Sequence, residues 1–239
     1  EISKVSGNVA VSNVLQPAAP DESLEGNVKK LDELIGLEEL KKEVKNHIDY
    51  LNFLKLRQER GFKDTERINL HSVFTGNPGT GKTTVVKLLG QIYKSMGLLS
   101  KGHVKEVDRS QLIGEYIGQT APKVKKVIEE AKGGILFIDE AYSLAREADD
   151  SKDFGKEAIE VLIKEMSDGS KDLAIMVAGY PHEMDVFLKS NPGMRSRFAN
   201  YFHFEDYLPD ELHAIAIKYA QQKNVRMTED ANNYLSEQL

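Results

Sequence analysis

The chain has 239 residues, a formal charge of -6, and 40% hydrophobic and 29% charged residues, the composition of a folded protein that can bury one large α/β domain with an appendage. The acidic balance argues against a general electrostatic grip on nucleic acid, and with no cysteine there is neither a disulfide framework nor a thiolate metal site. The six histidines lack ligand spacing and read as surface or packing residues, while apolar runs such as Leu173–Ala178 fall far short of the roughly 20 residues that span a bilayer and follow no secretory signal, so a cytoplasmic protein is expected.

Residues 1–30 contain no aromatic side chain, show no sustained period and include Gln16-Pro-Ala-Ala-Pro20, so they read as a linker or flexible arm. From Leu31 the pattern changes. Leu40, Val44, Ile48, Leu51 and Leu54 recur at three- and four-residue steps, which predicts a long amphipathic helix. Short apolar runs then alternate with helical ones. The expected elements are strand Leu70–Thr75, helix Thr83–Met96, strand Val104–Val107, helix Pro122–Ala131, strand Ile135–Ile138, helix Phe154–Met166, strand Leu173–Val177, helix Glu183–Lys189 and strand Tyr201–Phe204. Such alternation predicts a parallel sheet covered by helices on both faces. From Pro209 onward the chain reads as purely helical, with Leu212, Ile215, Ala216 and Tyr219 on one face.

Gly76-Asn-Pro-Gly-Thr-Gly-Lys-Thr83 matches the phosphate-loop pattern in the context its chemistry requires, after an apolar strand and at the start of a helix. Asn77, Pro78, Gly79, Thr80 and Gly81 form the loop itself, with Thr84 following the motif. Glycines let successive backbone N–H groups converge on phosphate oxygens, and the helix N-terminus adds partial positive charge. Lys82 would reach the β- and γ-phosphates and the Thr83 hydroxyl would ligate Mg²⁺. Ile135-Leu-Phe-Ile-Asp139-Glu140 is an apolar strand ending in two carboxylates, where a parallel strand meets the ligand crevice. Asp139 is expected to hold the magnesium through water, and Glu140 to act as general base on the attacking water. The second acid favours a hydrolase over a binding module, and ATP with Mg²⁺ is the expected ligand.

The motifs now extend beyond one site. Leu34-Ile-Gly-Leu37, the phosphate loop, Gly114-Glu-Tyr-Ile-Gly-Gln-Thr-Ala-Pro122, Phe137-Ile-Asp-Glu-Ala-Tyr142, Ala178-Gly-Tyr180 and Asn191-Pro-Gly-Met-Arg-Ser-Arg-Phe198 occur in that order. In these the chain resembles the AAA+ ATPases, and among them the group containing red-type Rubisco activase and stage V sporulation protein K. The resemblance runs from about Leu31 to beyond Asp210. It implies an α/β P-loop NTPase fold, its parallel sheet sandwiched by helices and followed by a partial α-helical lid. The expected division is an arm at 1–30, a nucleotide-binding domain at 31–207 and a lid that starts at 208–239 and stops early. Ile35 and Gly36 would lie against the adenine. Tyr116, Ile117 and Gly118 resemble the pore loop with which hexameric rings grip a threaded polypeptide, an exposed aromatic offering large contact area at little rotamer cost.

Arg195 and Arg197 stand where the family supplies an arginine finger to the neighbouring subunit, with Arg197 narrowly favoured and the other arginine left a structural role. Where many relatives place a polar sensor, this chain reads Ala178-Gly-Tyr180, which makes Tyr180 the substitute. The lid arginine of the family has no counterpart before Leu239. The resemblance therefore implies a protein-remodelling motor working as a six-membered ring on a protein client, with no membrane span and no nucleic-acid partner. Rubisco is one candidate client by kinship, a sporulation or secretion component another. The alternatives are a nucleotide-gated assembly module and a DNA-associated AAA+ ATPase. No Asn-Lys-x-Asp motif speaks for a GTPase, and a small-molecule kinase has no need of Asp139-Glu140.

Overall fold

The computed structural model describes residues 22–62, 68–145 and 154–238. Its centre is a five-stranded parallel sheet of β1 (Ser72–Gly76), β2 (Val104–Val107), β3 (Ile135–Ile138), β4 (Ala174–Gly179) and β5 (Asn200–Phe204), in the order β2-β3-β4-β1-β5. β3 and β4 are buried along their whole length, as strands covered on both faces must be. Their side chains alternate between two cores. Ile135, Phe137, Ala174, Met176 and Ala178 face one core, whereas Leu136, Ile138, Ile175 and Val177 face the other. Because β1 continues to β2 at the far edge before the chain returns through β3 to β4, the carboxyl ends of β1, β3 and β4 gather where the connections diverge. That is the crevice in which open α/β sheets bind ligands.

On one face lie α1 (Leu24–Asp32), α2 (Glu38–Glu59) and α3 (Lys82–Ser95); on the other, α5 (Thr120–Ala131), α6 (Phe154–Asp168) and α7 (Pro181–Lys189). A short helix, α4 (Arg109–Leu112), follows β2 and is closed by a capping box between Asp108 and Gln111. The pair α8 (Pro209–Gln222) and α9 (Glu229–Gln238) ends the chain and contains no buried residue among those described. In α2, Leu40, Val44, Ile48 and Leu51 are buried as their spacing predicts. Leu37 ends the preceding turn at φ 59°, in the left-handed region that non-glycine residues rarely occupy. No helix among the described residues is long and apolar enough to cross a membrane.

Residues 24–30 of the arm expected over residues 1–30 are helical. Ser23 caps α1 by accepting a hydrogen bond from the Gly26 N–H at 3.0 Å, and Leu31 and Asn27 are buried against the core. Leu24, Val28 and Leu31, at steps of four and three, carry a short apolar stripe that average composition hides. Residues 1–21 of the expected arm lie outside the described residues. Elsewhere α4 is a short helix that the periodicity does not predict, and differences at element ends include β4, which runs on to Gly179, and α7, which begins at Pro181, whose fixed φ suits a first helical position.

Two histidines belong to the cores as uncharged groups. His47 is within 3.0 Å of the buried Tyr93 hydroxyl through Nε2, and the His71 Nδ1 accepts the Ile175 N–H at 2.9 Å. Burial lowers both from an ordinary 6.5 to about 4. The unfolded chain therefore binds these protons first, so the stability they confer is complete above pH 6.5 and is lost as pH falls towards 4. In urea titrations across that window, His47→Gln is expected to flatten the pH dependence of unfolding by about 3 kcal/mol. An unchanged slope would assign the acid sensitivity to other groups.

Candidate active site

The phosphate loop connects β1 to α3 and is shaped by its glycines. A side chain at Gly76 would place Cβ 2.5 Å from the Phe204 carbonyl oxygen, and Gly81 caps α3 at φ 91°. Lys82 opens α3 and is buried, with its ammonium donating to the carbonyls of Gly76 at 2.9 Å and Asn77 at 2.6 Å. Burial lowers its pKa, opposed by the carboxylates of Asp139 and Asp206. Neutral carbonyls solvate this cation without neutralising it, so an anion in the loop gains most from it.

Asp139 follows β3 and is half-buried, and its backbone N–H donates to the Val107 carbonyl at 3.1 Å. Glu140 is exposed, and its N–H donates to the Asp139 Oδ1 at 2.9 Å. Its backbone sits at φ 48°, one of three left-handed non-glycine positions among the described residues. Strain of that kind persists only where the surroundings over-determine it.

Lys82, Thr83, Thr84, Asp139, Glu140 and Tyr180 line one cleft of about 300 Å³ together with Gly76, Pro78, Gly79 and Gly81. Tyr142 and Gly179 complete it. The Tyr180 ring lies 6.0 Å from that of Tyr142, and a Cβ at Gly179 would strike the Tyr142 ring at 2.6 Å. The cradle fits a magnesium nucleotide. A Cβ at Gly79 would meet nothing within 4 Å, Lys82 has no ion-pair partner among the described residues, and Thr83 with Asp139 offers hard oxygen donors. Among the described residues no group of three or more His, Asp or Glu could hold an ion. A sparse donor set of this type suits Mg²⁺, which keeps waters and takes phosphate oxygens as its remaining ligands.

The other expected residues lie beside the cleft. Asn77 donates through Nδ2 to both carboxylate oxygens of Asp206, at 2.9 and 2.8 Å, and the buried Thr80 donates to the Asn77 carbonyl at 2.8 Å. Ile35 and Gly36 are half-buried in the turn before α2, with the Glu211 carboxylate of α8 against Gly36. Lys218 of α8 donates to the Glu33 carbonyl at 2.7 Å. The Tyr207 hydroxyl donates to the Thr80 carbonyl at 3.2 Å, and burial raises its pKa. Sequence reasoning missed Asp206, Tyr207 and Glu211. Their signal was position, since residues following β5 emerge at the same carboxyl edge as the phosphate loop.

Arg195 and Arg197 do not line the cleft of their own chain; they form a short 3₁₀ turn after α7. Arg197 donates through Nε to the Ser167 hydroxyl of α6 at 2.7 Å, and its carbonyl accepts the Asn69 amide at 2.9 Å. Arg195 is exposed and, among the described residues, forms no side-chain hydrogen bond. Tyr116 and Ile117 stand 65% and 77% exposed between α4 and α5, so the tyrosine is not packed beneath its loop. The base of this loop is pinned: the Gly114 N–H donates to the buried Thr120 hydroxyl at 3.1 Å, and Gly118 turns at φ 84°.

The family model for the ATPase family associated with various cellular activities (AAA) matches residues 72–206. Stage V sporulation protein K of Bacillus subtilis (strain 168) is 44% identical over 211 residues, covering 88% of this chain and 65% of that protein. The chloroplastic ribulose bisphosphate carboxylase/oxygenase activase of Cyanidioschyzon merolae (strain NIES-3377 / 10D) is 46% identical over 199 residues, covering 83% and 67%. Protein CbbX of Cereibacter sphaeroides is 44% identical over 209 residues, covering 87% and 67%. The chain thus spans about two thirds of the length of these relatives. Among solved structures, RuvB of Thermotoga maritima matches with a TM-score of 0.54 over 84% of this chain and 56% of that one, at 21% identity. That degree of likeness speaks for the fold alone.

Proposed function

This chain belongs to the AAA family of ATPases, and on that premise we propose that it is an ATP-hydrolysing, protein-remodelling motor of the cytoplasm that works as a ring, with six subunits as the expected number. The observation that carries the reading is the single cleft in which Lys82, Thr83, Asp139 and Glu140 converge, with the exposed Tyr116 loop leaving the neighbouring strand. The loop N–H groups and Lys82 bind the phosphates, Thr83 and Asp139 hold Mg²⁺, and Glu140 accepts the proton of the attacking water. Bound Mg²⁺ neutralises charge that develops on the transferred phosphoryl group. Ile35 and Gly36 contact the adenine, and Tyr180 serves as the sensor beside the γ-phosphate. Residues 208–239 act as the first part of a lid over the nucleotide.

For the shared site, the bonding of the two arginines favours the order opposite to the one expected from the sequence. Arg197 is committed to Ser167 and holds the 3₁₀ turn on α6, whereas Arg195 is presented to solvent, where a neighbouring subunit would meet it. Arg195 is therefore the finger and Arg197 its support.

Tyr116, Ile117 and Gly118 engage the polypeptide client. Tyr116→Ala is expected to reduce ATP-dependent capture of an unstructured reporter polypeptide by at least about tenfold, as loss of an exposed aromatic anchor does at other interfaces. Fluorescence anisotropy of the labelled reporter checks this. Full capture by the variant, in an assembled ring, would remove threading through Tyr116.

A further inference from the structure

Asp139 and Glu140 also line a second cleft, of about 800 Å³, with Arg109, Ile113, Lys123 and Ser143 on its other walls. Here the strained turn is tied down. The Glu140 carbonyl accepts the Ser143 N–H at 2.8 Å, and the Ser143 carbonyl in turn accepts a hydrogen bond from the Arg109 guanidinium. From the other side the turn is pressed by α6: a Cβ at Gly155 would lie 2.0 Å from the Leu144 carbonyl oxygen and 3.7 Å from Arg109 Nη1. Arg109 is itself braced, because Lys123 of α5 donates to the carbonyls of Ser110 at 2.7 Å and Ile113 at 2.8 Å and so holds α4 in place. The next residues along the chain are the exposed Tyr116 loop. A half-buried guanidinium on a carbonyl is a charge-assisted bond, stronger than a neutral donor provides.

We propose that Arg109 is a positioning residue for ATP hydrolysis: through Ser143 it fixes the turn that keeps Glu140 in its left-handed conformation, and it joins that turn to the base of the Tyr116 loop. This rests on the reading of Glu140 as the general base. A left-handed backbone at a glutamate relaxes when its support goes, and a misplacement of about 1 Å can cost about 10² in rate. Among the described residues Arg109 bonds to this carbonyl and to no carboxylate.

The test is steady-state kinetics with titration of a fluorescent ATP analogue and thermal melting. Arg109→Ala is expected to lower kcat by about 10- to 10²-fold, with KM and nucleotide affinity within about threefold. Arg109→Lys, which keeps a cation that reaches the same carbonyl, is expected to recover at least about threefold of that loss. In a Glu140→Gln background, Arg109→Ala should add less than about threefold, because both changes act through one group. A kcat for Arg109→Ala within about twofold of wild type overturns the proposal, as does a parallel fall of kcat, affinity and thermal midpoint. Should the alanine variant not fold, Arg109→Gln, which removes the cation but keeps much of the side chain, takes its place: a reduced kcat at constant KM supports the proposal and an unchanged kcat overturns it. Full turnover by Glu140→Gln alone removes the parent reading, whatever Arg109 does.

Discussion

Glu140→Gln is expected to bind ATP within about threefold of wild type while turnover falls about 10²- to 10⁴-fold. The substitution keeps size, hydrogen-bonding reach and tolerance of the observed φ of 48°, but an amide cannot accept the proton of water. Binding is spared because Lys82, Thr83 and the loop N–H groups, which face the phosphates, are untouched. Phosphate release under saturating ATP, beside titration of a fluorescent analogue, separates the two effects. A nucleotide-gated assembly module in which hydrolysis is incidental uses the same pocket, so binding alone says nothing between the readings. Turnover does, and an unchanged rate in this variant would take the base assignment away from Glu140.

Arg195→Ala is expected to cost about 10³-fold in turnover by the assembled protein, the lower range for a finger that meets charge developing on a transferred phosphoryl group. Arg197→Ala should act differently. It severs the bond to Ser167 and loosens the 3₁₀ turn, so its loss should follow assembly, visible as a smaller mass with ATP than the wild-type ring gives. Mixing supplies the sharper comparison. A subunit carrying Glu140→Gln retains Arg195, and one carrying Arg195→Ala retains Glu140, so alternating them rebuilds some complete sites. Recovery of activity on mixing the two inactive proteins is the expected result. No recovery from rings of proven mixed composition would place Arg195 outside the neighbour's site.

The central strands were legible because they are buried on both faces. Ile135–Ile138 and Leu173–Val177 are continuous apolar runs, and only the exact ends moved. The convergence of Lys82, Thr83, Asp139 and Glu140 on one cleft was equally legible, since their places follow the ends of strands and the start of a helix. What escaped were relations between distant segments. Nothing in the spacing of Leu24, Val28 and Leu31 says that a nine-residue helix finds a groove on α3, because tertiary burial and not propensity stabilises so short an element. The split between Arg195 and Arg197 depends on Ser167, 30 positions from Arg197, and the support of Glu140 depends on Arg109. Neither pairing leaves a periodic trace.

The strap from Asp206 to Glu211 touches the phosphate loop at one end and the turn before α2 at the other. Asp206 holds Asn77, Tyr207 holds Thr80, and Glu211 closes over Gly36. Between these attachments lie only Leu208, Pro209 and Asp210, and Pro209 is already fixed as the first residue of α8. There is too little slack for the loop to shift alone. Well along the 14-residue α8, Lys218 is bonded to the Glu33 carbonyl, so the helix is tied to the turn before α2 at two places. The phosphate loop, that turn and α8 are thereby linked through three residues of chain, and a change at Asn77 or Thr80 has a short covalent route to Ile35 and Gly36.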